Sequence, residues 1–291
     1  MGKKSRKQRQ SVESAPKVRR AEVPYVERPF EGIPAEPDLV AMREVIPAAT
    51  MPVRTTEAYG AREVLLVTLL PDMLPALHRE DGTVLVALQT RMHTGDASRD
   101  VAAALLDALE LEPGTPLTTA ELPEPGPRLQ DVLVLDAPFE IAVHDTFDYW
   151  LTEEAKQEEG VGHALEHANE EIVPTAKVDG VDHAYWVRMG REFVRWARPE
   201  DQEQVLDALA RLHAARASAI ADGAKFVGAF RSCGLLIPVW ELAPGTEADE
   251  LPGPMAAFGA TFDKALASTE PLTAEERRAR AGIVSRQVAL R

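Results

Sequence analysis

Several things are scarce in this 291-residue chain. There is one cysteine, Cys233, so no intrachain disulfide can form and a reducing compartment is expected. Long apolar runs are missing. The most apolar stretch, residues 64–77, is broken by Pro71, Asp72 and Pro75 and is too short to span a bilayer. No apolar stretch follows the basic N-terminus, so a secretory signal is not expected, and Arg6 stands where myristoylation wants Ser or Thr. A cytoplasmic protein without membrane insertion is the expectation. The common cofactor signatures are absent too. There is no GxxxxGK[ST] loop, no GxGxxG opening a helix, no GxSxG elbow and no CxxC. These absences remove the commonest nucleotide-binding, hydrolase and structural-zinc readings, and no cofactor is implied.

What is present begins with charge. Asp and Glu number 47 against 32 Lys and Arg, a net charge of −15. The sum hides an asymmetry. Residues 1–20 carry eight cations (Lys3, Lys4, Arg6, Lys7, Arg9, Lys17, Arg19 and Arg20) and one acid, Glu13, for a net +7. Residues 271–291 carry +3, and the 250 residues between carry −25. An acidic body repels nucleic acid over most of its surface. The basic head could bind nucleic acid or the ribosome, anionic lipid, or the body itself. Apolar residues at 45% and charged residues at 27% are an ordinary globular mixture. The excess of Arg over Lys, with abundant Ala, points to a GC-rich genome.

Organisation follows from punctuation and periodicity. Residues 1–28 read as a disordered basic tail, 29–125 as an N-terminal α/β half and 126–291 as a C-terminal α+β half, with prolines over 112–128 marking the boundary. Prolines at 24, 29, 34 and 37 make an extended arm that Phe30 and Ile33 could pin to the body. The spacing predicts a short helix from about Asp38, doubly buried strands over 63–70 and 83–89, and a helical turn over 72–78. It predicts a helix over 96–111 capped by Asp96 or Ser98, strands over 131–135 and 139–144, and helices over 145–158 and 162–172. Two hairpins, 184–197 and 225–242, flank a helix over 199–221. This β-β-α-β-β unit predicts a helix on a mostly antiparallel sheet. Thr273 and Glu276 form a capping box for an Arg-rich last helix that includes Arg286. The fold class is therefore α+β (mixed α/β), with helices packed on mixed or antiparallel sheets in two compact halves.

Four features could carry chemistry. His163-Ala-Leu-Glu166-His167 has the HxxEH form of inverted zinc peptidases. Both imidazoles would share a helix face, with Glu166 activating the water and Glu241 or Glu247 as a third ligand. A polar helix face explains the same residues, and no metal site is assigned. The 90–99 loop joins a buried strand to a helix start. There Arg91, Thr94, Ser98 and Arg99 form a candidate anion site, or else a capped connection with solvated arginines. The hairpins mix Trp186, Arg188, Arg195, Trp196, Arg231 and Trp240. That mixture either stacks bases or builds cation–π pairs over its own core. The basic head is the fourth. His213 reads as a packed or edge histidine, Asp145 and Asp148 as caps, and Cys233 as a small residue in a bend.

Taken together, several segments carry a resemblance. They are MGKKSRKQR, PYVERPFEGIPAEPDLVAMREVIPAAT, LQTRMHTGDASRDVAAALLDALE, NEEIVPTAKVDGVDHAYW, FVGAFRSCGLLIPVWEL and LTAEERRARAGIVSRQVALR. Over nearly the whole chain, tail included, the sequence resembles an actinobacterial protein family of unknown function. Its members often carry automatic names mentioning the SecA preprotein translocase or topoisomerase II. The ATPase loop of the first is absent, as are the ATP-binding signature and catalytic-tyrosine context of the second. The His163/His167 pair is not part of the family pattern. A non-enzymatic binding protein using its head on RNA, the ribosome or DNA is the leading expectation. The alternatives are an enzyme at 163–167 or at the 90–99 loop, and an adaptor acting through the sheet.

Overall fold

The computed structural model describes residues 23–285, apart from Met92, residues 119–123 and Glu159. Two sheets and eight α-helices occur among the described residues, so the fold is α+β with one mixed and one antiparallel sheet. The first sheet holds β1 (Ala49–Arg54), β2 (Glu63–Val67), β3 (Ala76–His78), β4 (Val84–Ala87), β5 (Thr115–Leu117) and β6 (Ala142–Val143). Their order is β5-β3-β4-β2-β1-β6, and only β2 and β4 run parallel. The second holds β7 (Thr175–Lys177), β8 (Ala184–Arg188), β9 (Glu192–Trp196), β10 (Lys225–Ser232) and β11 (Leu235–Glu241), in the order β10-β11-β9-β8-β7.

Period-2 alternation sorts the side chains into three cores. In β2 and β4, Val64, Leu66, Val84 and Val86 enter a central core, while Val67, Leu85 and Ala87 enter an outer one with Phe147, Trp150 and Leu165. In β8 and β11, Tyr185, Leu235 and Ile237 join the same central core, while Trp186, Leu236 and Trp240 face the third. The central core is therefore shared by both sheets. It is completed by the helices α1 (Glu36–Glu44), α2 (Ala97–Leu109) and α3 (Leu129–Val132). The remaining helices are α4 (Glu153–Lys156), α5 (Val161–Glu170), α6 (Gln202–Ala214), α7 (Pro252–Leu266) and α8 (Ala274–Ser285). Of these, α6, α7 and α8 cover the far face of the second sheet.

Several expected boundaries move for local reasons. The strand expected over 131–135 shrinks to an antiparallel bridge of Leu133 with Thr55 that follows α3, where the Arg128 N–H donates to Asp131 Oδ2 at 2.8 Å and turns the chain. The single helix expected over 145–158 is a 3-10 turn at Asp148–Trp150 and then α4, which restarts where Thr152 Oγ1 accepts from the Ala155 N–H. The helical turn expected over 72–78 is a 3-10 turn at Pro71–Met73, where Asp72 and Met73 take left-handed φ of 56° and 55°, and its second half is the strand β3. The helix expected over 199–221 starts later, where Asp201 accepts from the N–H groups of Glu203 and Gln204. It stops at a left-handed Arg216 (φ 57°). The Thr273–Glu276 capping box of α8 forms as read. No helix among the described residues is long and apolar enough to cross a membrane.

Candidate functional site

The arm at residues 24–31 lies across loops from both sheets. The Val26 N–H donates to the Gly95 carbonyl at 2.8 Å. A Cβ on Gly95 would stand 2.7 Å from Tyr25 Cα, so only glycine admits this approach. Arg28 makes two 2.7 Å bonds to Glu36 and one of 2.8 Å to the Pro199 carbonyl. Arg28 also packs on Gly234, whose φ is +76° and whose Cβ would meet Arg28 Cβ at 2.6 Å. Gly234→Ala is expected to cost about 2 kcal/mol, as overpacking plus backbone strain. Hydrogen exchange should then show the Val26 amide losing protection well before the strands do.

The 90–99 loop is built around one buried and one half-buried carboxylate, Asp96 and Asp100. Asp96, 1% exposed, caps α2 and lies 2.9 Å from Arg128 Nε and 3.6 Å from Arg99 Nε. The Thr94 hydroxyl and N–H both donate to Asp100, whose carboxyl is nevertheless pushed up by burial. The Ser98 hydroxyl is buried; it donates to Gln130 Oε1 at 2.6 Å and accepts from the Leu129 N–H. Gln130 and Arg128 in turn donate to the Pro29 carbonyl. Of the four candidate anion ligands, Arg91 is exposed and Arg99 half-buried, while Thr94 and Ser98 are bonded to the protein itself. What the loop does here is fasten the arm.

A cluster that spacing did not reveal sits at the start of α1. Buried Asp38 Oδ1 accepts from the Tyr185 hydroxyl at 2.5 Å and lies 2.8 Å from His183 Nδ1. Burial, then the Asp38 charge, pushes the Tyr185 phenol up, so it stays a neutral donor. His183 holds a left-handed φ of 60°, a strained state for a residue with a side chain. The partners stand 145 and 147 residues from Asp38, so no local pattern could pair them. The signal in the sequence was two acids, Glu36 and Asp38, in the first turn of a helix buried on almost every side.

The model of a family of unknown function, DUF5926, matches residues 29–291. This chain belongs to that family. No curated protein and no solved structure matches it. The DUF5926 match begins at Pro29, where the arm is bonded to the body, so the head with its MGKKSRKQR start falls outside the matched region.

Other expected features of this DUF5926 chain fall as follows. Lys3, Lys4, Arg6, Lys7, Arg9, Lys17, Arg19 and Arg20 lie outside the described residues, as does Arg286. His163 and His167 lie on α5 with side chains 83% and 79% exposed, and each pairs with a glutamate three residues on. Among the described residues, no three His, Cys, Asp or Glu side chains stand close enough to hold a metal ion. Trp186, Trp196 and Trp240 are buried. Their indole N–H groups donate to the carbonyls of Thr246, Asp182 and Ser218. Arg188 covers Trp186 at 4.9 Å and Arg198 covers Trp196 at 4.2 Å, so these indoles are internal packing rather than a base platform. His213 bonds Ser218 beside Phe226, Asp148 pairs with Lys156, and burial raises the Cys233 thiol.

Proposed function

We propose that this chain is a non-enzymatic, cytoplasmic binding protein whose basic head contacts RNA, the ribosome or DNA. The carrying observation is the charge split: eight cations and one acid in residues 1–20, joined to a stretch of net −25. The folded body adds support. Most of its described arginines are already engaged by its own carboxylates, as in Arg28 with Glu36, Arg79 with Asp81, and Arg231 and Arg280 with Glu203. Phosphate contacts therefore fall to the head.

The test is co-sedimentation with ribosomes and with bare RNA and DNA over a series of salt concentrations. The full chain is compared with one lacking residues 1–20. Binding by the full chain should fall steeply with salt, by roughly 0.7–0.9 log unit per log unit of salt for each phosphate contact. The shortened chain should stay in the supernatant. Identical behaviour of the two overturns the reading.

A further inference from the structure

We propose that Tyr25 and Arg91, on the two segments pinned together at Gly95, form a docking point for single-stranded nucleic acid at the foot of the basic head. Tyr25 stacks on an unpaired base and Arg91 meets an adjacent phosphate. Resting on the reading of the head given above, this assigns the unpaired strand rather than the duplex as the ligand.

Exposed aromatic rings are not the habit of this chain. All four tryptophans, all eight phenylalanines and the other three tyrosines are buried or half-buried. Tyr25 is 78% exposed. Its main chain is nonetheless fixed. The Val26 N–H donates to the Gly95 carbonyl at 2.8 Å, and Pro24 sets its own φ just upstream. A Cβ on Gly95 would stand 2.7 Å from Tyr25 Cα. The loop thus gives up a side chain to hold the backbone of a ring that stands in solvent. A ring with two torsions on a fixed backbone loses little freedom when a base lies on it.

The loop under Tyr25 supplies the charge. Arg91 is an exception to the engagement of arginines in the body: it is exposed and has no carboxylate partner among the described residues. His93, also exposed, offers a second flat ring two residues from Gly95. The acids beside this loop are occupied, Asp96 by Arg128 and Arg99, and Asp100 by Thr94. Glu27, the next acid along the arm, lines a separate cavity with Asp201 and Arg231. Upstream, Arg20 is five residues from Tyr25, at most about 18 Å of extended chain. A strand whose phosphates are held by the head therefore has its next bases within reach of the ring. In a duplex each base face is covered by its neighbours, so only an unpaired base can lie on Tyr25.

The test is fluorescence anisotropy of labelled oligouridine, oligothymidine and a short RNA duplex titrated with the full chain. Tyr25→Ala should weaken both single strands by at least about fivefold and the duplex by less than about twofold. Loss on both strands is expected because stacking needs no 2′-hydroxyl. Tyr25→Phe keeps the ring and should stay within about twofold of the parent on all three probes. Arg91→Ala should weaken the single strands and lower the salt slope by roughly 0.7 log unit per log unit of salt, the share of one phosphate. Both side chains are exposed, so these variants should fold. Unchanged oligouridine affinity in Tyr25→Ala, or an equal loss on the duplex, overturns the proposal, as does an absence of single-strand binding by the full chain. The outcome is separable from that of the head, since a chain lacking residues 1–20 keeps Tyr25 and Arg91. If that deletion abolishes binding and Tyr25→Ala has no effect, the head stands and the stacking site falls. If the deletion changes nothing and Tyr25→Ala weakens the single strands, the reading of the head fails and the stacking site stands.

Discussion

Trp240→Ala lowers the free energy of unfolding by about 4 kcal/mol, the range of large aromatic truncations in a packed core. The indole is fully buried, with Phe226 and Phe258 each at 5.4 Å and Trp196 at 6.4 Å between ring centroids. Its N–H donates to the Ser218 carbonyl at 2.6 Å. Alanine therefore leaves a cavity and an orphaned carbonyl on the rim of the third core. Urea unfolding followed by far-ultraviolet circular dichroism measures the loss. A loss under about 1 kcal/mol would mean that the indole stands in solvent, as a base-stacking surface requires.

Asp38→Ala costs about 3 kcal/mol, because it strands two donors at once. The Tyr185 hydroxyl is buried beyond the reach of water and bears most of the penalty. His183 is 23% exposed at its side chain and can be rehydrated in part. Tyr185→Phe removes one donor and leaves Asp38 its histidine, so about 1 kcal/mol is expected. Asp38→Asn keeps an oxygen that can accept from Tyr185 and should fall between the two. Equal costs for Asp38→Ala and Tyr185→Phe would show that the histidine contact contributes nothing.

How much of this was legible depends on sequence separation. The hairpins at β8–β9 and β10–β11 were readable because alternation and a glycine turn are local. So were α2 and the α8 capping box. The doubly buried character of β2 and β4 was also legible, since both faces are apolar. The strand β3 was not, because three residues beside two prolines carry no period. Asp38, His183 and Tyr185 were invisible as a group for the same reason that Arg28 and Pro199 were: tertiary distance is not written in spacing. Spacing can also suggest a site that tertiary structure does not build. HxxEH has a sensible metal-ligand spacing, yet α5 turns both histidines outward beside glutamates. The 90–99 loop was located correctly as a strand-to-helix junction with donors and arginines. Spacing does not show that Asp96 is buried there or that Asp100, half-buried on α2, holds Thr94.

The arm has a consequence in time. Arg28 is made early, but Pro199 and Gly234, against which it rests, lie about 170 and 200 residues later. At 5–20 residues per second, a ribosome needs roughly 10–40 s to cover that interval. Through it, the central core that holds Phe30 lacks the second-sheet residues Tyr185, Leu235 and Ile237. The newborn chain thus carries its cationic head beside a core still short of its second-sheet residues, within reach of the machine that is making it. The Val26 contact to Gly95 and the Pro29 contact to Gln130 need only the first half of the chain, whereas the seat of Arg28 on Pro199 and Gly234 is completed late in synthesis.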